Sequence, residues 1–151
     1  MRNIAIATML CLATSAMGAP VMHHATGTFA VKIEPQGDDS GGGLTVSRMT
    51  VNKVFSGGLV GTGTGDMMAI GGGVDSGAYV LIERVTGSLD GKAGSFALMH
   101  HATVIAGKPD QHITVVPGSG NGALLGLSGQ LTMRIEGGTH FYDLAYAIAS
   151  Q

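Results

Sequence analysis

Charge is scarce in this chain. Asp, Glu, Lys and Arg make up 12% of its 151 residues and sum to a net −2. There is no basic stripe to track a phosphate backbone and no run of like charge to keep a tail solvated, so nucleic acid is not an expected partner. Cysteine occurs once, at Cys11, which excludes a disulfide framework. Tryptophan is absent and there are only four prolines. No serine sits in a G-x-S-x-G elbow followed by a helix, so a hydrolase nucleophile is not expected. What the chain has in excess is glycine, 26 of 151 residues, about 17% against an average near 7%. Without a three-residue period this is the composition of many short strands and many turns, not of collagen.

The N-terminus reads as a secretory signal peptide over residues 1–18. Arg2 supplies the positive start, residues 4–13 form a short apolar core, and Ala16, Met17 and Gly18 make a small-x-small cleavage site before Ala19. The apolar run is shorter than the roughly 20 residues of a spanning helix; a buried N-terminal helix is the weaker alternative. Cys11 lies inside the apolar core without a small-residue lipobox before it. The expected mature protein is thus residues 19–151, a single cysteine-free domain, periplasmic or secreted, held together by its core.

Beyond the signal, residues 19–25 are expected as a loose lead-in. Residues 27–33 alternate, with Phe29, Val31 and Ile33 against Thr28, Ala30 and Lys32, as a half-buried strand does. Pro35 is expected to end it, and residues 36–43 to form a polar loop in which Asp38 and Asp39 are solvated rather than metal-binding. Residues 44–55 place Met49, Val51 and Phe55 on one face. Ser56-Gly57-Gly58 then turns the chain into residues 59–70, where Leu59, Gly61, Gly63 and Gly65 share a face that can bend sharply. The GTGTG run there lacks a following helix, so it is not a phosphate loop.

Residues 80–102 form the most informative stretch, two apolar strands joined at Asp90-Gly91. With a two-residue turn, Leu89 faces Lys92 and Glu83 faces Leu98, making Glu83 and His100 diagonal neighbours roughly 7 Å apart; with a longer turn they stand directly opposite. Either way they share a face with Tyr79, Leu81, Phe96 and Leu98. Further on, residues 112–116 are a short strand before Pro117-Gly118. Residues 122–135 make a longer one, and residues 139–148 a last one with Tyr142, Leu144, Tyr146 and Ile148 on one side. Eight turn-separated strands and no helical period predict an all-β fold. The expected form is an eight-stranded antiparallel up-and-down barrel, with a β-sandwich as the alternative.

A resemblance runs along nearly the whole mature chain. It is carried by Gly77 through Gly87, by Leu89-Asp90-Gly91-Lys92-Ala93-Gly94-Ser95-Phe96 with His100, by Val116-Pro117-Gly118-Ser119-Gly120 with Leu124, Gly126, Ser128 and Gly129, and by His140, Tyr142 and Tyr146. These resemble an uncharacterised bacterial family of domains of unknown function whose fold is similar to the allene oxide cyclase barrel. The resemblance implies that barrel and supplies no catalytic residues.

The expected function is the binding of a small apolar molecule in the barrel interior, with Tyr79, Leu81, Phe96 and Leu98 as ligand-binding residues. One alternative is a cofactor-independent cyclase or isomerase, in which Glu83 is the acid or base at a pKa raised by burial and His100 holds or relays the proton. The other is a non-catalytic structural or interaction module in which Glu83 pairs with an Arg or His. Six histidines and nine methionines are too scattered to predict a copper or zinc site; no cofactor is expected, and association with further copies of the chain is left open.

Overall fold

Alternation of large apolar and polar or small residues builds nine strands in the computed structural model, which describes residues 21–71 and 75–149. The predicted signal peptide and the glycines of the turn at residues 72–74 lie outside the described residues. The strands are β1 (His23–Gly41), β2 (Leu44–Gly57), β3 (Leu59–Gly71), β4 (Gly77–Leu89), β5 (Lys92–Ile105), β6 (Lys108–Val115), β7 (Asn121–Gly122), β8 (Leu127–Glu136) and β9 (Thr139–Ile148). Leaving out the two-residue β7, each strand pairs antiparallel with the next, and β9 returns to β1 with His23 opposite Tyr146 and Phe29 opposite His140. The sheet therefore closes as an eight-stranded up-and-down barrel with one short extra strand. A sandwich would keep edge strands, whereas closure leaves none among the eight.

Side chains alternate across the wall, so one parity per strand fills the interior. Phe29 and Phe55, Val85, Phe96 and Leu98, Val115, Leu127 and Leu144 are all buried in one continuous core. The core occupies one end and the middle of the barrel. That end is shut by the segment between β6 and β8, which β7 ties to β5 at Gly94 and Ser95 and which pushes Leu124 into the core, 1% exposed. Tyr142 and Tyr146 secure the same end. The Tyr142 hydroxyl accepts a 2.8 Å bond from the Leu59 amide, and the Tyr146 hydroxyl donates at 2.7 Å to Asp90 in the β4–β5 turn.

Three sequence expectations are corrected. Pro35 does not end β1: the strand continues to Gly41 across a bulge at Pro35/Gly37, and Asp38 and Asp39 pair with Ser47 and Val46. Pro35 stays in register with Met49, and Gln36 after it is the extra residue of the bulge, an irregularity beside which a proline, unable to donate to the ladder, is accommodated. His23 to Ala25, expected as a lead-in, are strand residues because β9 offers them a partner that no local pattern announces. Residues 122–126 belong to the plug rather than to β8, and Leu125 is 50% exposed while its neighbour Leu124 is buried. No helix among the described residues is long and apolar enough to cross a membrane.

Candidate functional site

The open end of the barrel holds a cavity of about 250 Å³. Its walls are mostly apolar, with Phe29, Val31 and Ile33 from β1, Val51 from β2, Met67 from β3, Leu81 from β4 and Met133 from β8. Lys53 and His100 also line it, while Tyr79, Gln111 and His140 complete the ring. A hydrogen bond from the Gln111 amide to the Tyr79 hydroxyl joins β6 to β4 over the intervening β5.

Three buried polar side chains meet beside this cavity, two of which line it. Lys53, Glu83 and His100 are 7%, 0% and 2% exposed. Oε2 of Glu83 receives both neighbours, Lys53 Nζ at 2.7 Å and His100 Nε2 at 2.9 Å. The β4–β5 turn is the two-residue one, with Leu89 opposite Lys92 and Glu83 opposite Leu98, so Glu83 reaches His100 diagonally. Lys53 comes from further away. It lies on β2 opposite Gly63, and Gly63 on β3 lies opposite Val85 on β4, so a whole strand separates Lys53 from Glu83. The inward face of that strand reads Gly61, Gly63 and Gly65. With no side chains there, the two long residues cross β3 and meet. A Cβ on Gly63 would collide with Glu83 Oε1 and crowd its carboxyl carbon and Phe55.

The electrostatics follow from this packing. Burial would raise the Glu83 pKa, but the His100 hydrogen bond and the Lys53 charge and hydrogen bond outweigh it, and the carboxyl sits below its ordinary value. The expectation of a raised pKa is thus reversed, because reading the hairpin alone omits the lysine. For His100, burial lowers the pKa and the Lys53 charge lowers it further, against the Glu83 hydrogen bond and charge, which raise it; the balance leaves it lowered. At neutral pH the pair is a carboxylate beside a neutral imidazole. A carboxylate only accepts, so the hydrogen-bond pattern assigns the proton to His100 Nε2 and a lone pair to Nδ1.

Lys53 Nζ also sits 5.0 Å from the Phe29 ring centre and 5.9 Å from that of Phe55, within cation–π range. Glu83 Oε1, turned toward Gly63, is buried without a hydrogen-bond partner among the described residues. Glu83 itself does not line the cavity. The ligand space is therefore lined by Lys53 and His100 but not by the carboxylate that pairs with both.

Of the residues singled out from sequence, Tyr79 and Leu81 line the cavity with His100, whereas Phe96 and Leu98, 3% and 0% exposed, pack into the closed core below it. Lys53 was missed, although its parity with Met49, Val51 and Phe55 was a signal that it points inward. His101 faces outward and stacks on His112 at 4.9 Å. No group of three or more His, Cys, Asp or Glu among the described residues is placed to hold a metal ion. A larger depression of about 630 Å³ lies on the outer wall over β1, β8 and β9, lined by Thr28, Thr132, Arg134 and Asp143 among others; none of the buried charged groups lines it.

Residues 25–146 match the family model described as a protein of unknown function, DUF3224. A crystal structure of a DUF3224-family protein of unknown function from Shewanella oneidensis MR-1 is 37% identical and superimposes with a TM-score of 0.82, over 87% of this chain and 100% of that one. No curated protein matches the chain.

Proposed function

The chain belongs to the DUF3224 family of proteins of unknown function, and we propose that it is an exported barrel that binds a small, mainly apolar molecule in the cavity at its open end. The observation that carries this reading is the asymmetry of the barrel. One end is packed solid and plugged by Leu124, while the other stops short of filling and leaves apolar walls around buried polar groups. A concave, mostly apolar site with a few convergent polar side chains is the usual form of a small-molecule site. At about 250 Å³ it falls just under the usual range of about 300–1,000 Å³, so the ligand is small.

Titration of the protein spanning residues 19–151 with 1-heptanol, followed by methyl NMR, tests the reading. Shifts confined to Val31, Ile33, Val51 and Leu81 are expected; shifts spread over the outer wall, or none at all, overturn it. Export rests on Arg2, the apolar run and Gly18, and N-terminal sequencing of protein from a cell-envelope fraction should begin at Ala19. Intact Met1 in the cytosol overturns export alone.

A second reading, a cofactor-independent isomerase or cyclase, is favoured by the Glu83–His100 geometry. A carboxylate that orients an imidazole and leaves its other nitrogen free is an arrangement suited to a general base. In that reading His100 moves the proton and Glu83 positions it. Loss of turnover in His100→Gln with retained heptanol binding would support it; turnover unchanged in that variant would exclude it.

A further inference from the structure

The cavity shows the ligand a cation and hides the anion that balances it. We propose that the molecule bound there is a small organic carboxylate that enters head-first, its carboxylate on the Lys53 ammonium at the floor and its apolar body among the side chains of the mouth. This deepens the proposed binding function and rests on it.

An ammonium group has three donors. Among the described residues one protein oxygen, Glu83 Oε2, takes a hydrogen bond from Lys53 Nζ; the aromatic faces of Phe29 and Phe55 are its other close neighbours. Two donors thus remain for an acceptor in the cavity, which Lys53 lines. A buried cation with spare donors is best satisfied by an ionised acceptor, since charge-assisted hydrogen bonds are roughly twice as strong as neutral ones. Glu83 does not line the cavity: its Oε1 lies against Gly63 and its Oε2 is held by Lys53 and His100. An incoming head therefore meets the ammonium at closer range than the Glu83 carboxylate, and the nearer attraction outweighs the repulsion. The space available to the rest of the ligand is apolar on several sides, from Val31 and Val51 beside the lysine to Ile33 and Met67 near the rim. A cationic or strongly polar body would lose its water there without replacement.

Isothermal titration of the protein spanning residues 19–151 with heptanoate, 1-heptanol and methyl heptanoate separates the head from the body. Heptanoate is expected to bind at least about tenfold more tightly than either neutral probe, the scale of one charge-assisted hydrogen bond. The preference should vanish in Lys53→Met/Glu83→Gln, which removes both charges together and so leaves no buried charge unpaired. The single variant Lys53→Arg, which keeps the charge, should retain it. If 1-heptanol binds in the cavity as tightly as heptanoate, or the double variant keeps the preference, the carboxylate proposal is overturned while the apolar-ligand reading stands. If none of the probes binds, both fall.

Discussion

Lys53 and Glu83 form a 2.7 Å ion pair although their strands, β2 and β4, never pair and β3 runs between them. Adjacent strands are about 4.8 Å apart, so the two side chains together bridge about twice that distance over the glycine face of β3. The contact depends as much on what β3 lacks as on what β2 and β4 carry.

The first prediction is that Lys53→Met lowers stability by about 3–5 kcal/mol, the cost of leaving one member of a buried pair alone. Lys53→Met/Glu83→Gln should recover much of the loss because neither charge is then buried unpaired. Urea unfolding of both variants, followed by circular dichroism, measures this. A double variant as unstable as the single one would show that the loss comes from packing rather than charge.

Gly63→Ala should destabilise the barrel by about 1–3 kcal/mol, as overpacking does, because its methyl meets Glu83 Oε1. Gly71→Ala provides the contrast: nothing lies within 4 Å of a Cβ at Gly71, and its denaturation midpoint should stay unchanged. Equal effects at the two positions would dissociate the glycine face from the ion pair.

Acid should destabilise the protein in two steps. His100 has its pKa lowered from 6.5 in the fold, so the unfolded chain binds its proton first. Its contribution is complete above pH 6.5 and declines as pH falls from there toward the folded value. Glu83, lowered from 4.5, adds a second decline below pH 4.5, again because the unfolded state takes the proton first. Melting temperature against pH should fall through both windows, and His100→Gln should remove the upper one. A flat profile between pH 7 and 5 in the wild type would contradict the neutral assignment of His100.

Tyr146 has its pKa raised to about 12 by burial and by its bond to Asp90. Its phenol favours the fold below about pH 10, and that contribution is lost as pH rises toward 12, since the unfolded chain releases the proton first. Burial raises the pKa of Tyr142 as well, so ultraviolet titration should show two of the three tyrosines titrating late. Tyr146→Phe should remove the step near pH 12 while lowering stability by about 1 kcal/mol. A step near pH 12 that survives Tyr146→Phe would contradict the assignment.

Most of the barrel was legible in the sequence because its signals are local. Alternation marked the strands, and Asp90-Gly91 narrowed the central hairpin to two registers, of which the structure has the two-residue turn with Leu89 opposite Lys92. Apart from Pro35, where the β1–β2 hairpin carries the strand on across a bulge, the failures were non-local. Ala25 is a strand residue because Leu144 pairs with it, and Leu124 is buried because the plug folds back over the barrel end, neither of which neighbouring residues reveal. The candidate site divided along the same line. Glu83 and His100 lie on one hairpin, where parity places them together. Lys53 reaches them from β2 across a third strand, and with it came the reversal of the expected Glu83 pKa.

The pairing of β1 with β9 sets the order in which the protein can be completed. His23 finds its partner only at Tyr146, more than a hundred residues later, and contacts of such sequence separation form slowly because the loop between them must first be closed. Until β9 is synthesised, β1 has only β2 as a partner and its other edge is open, and the apolar side chains of Ala25 and Phe29 lack the wall that β9 supplies. The barrel therefore cannot close until its last strand emerges. Its completion is a single late event at one seam, where mispairing with another chain would also begin.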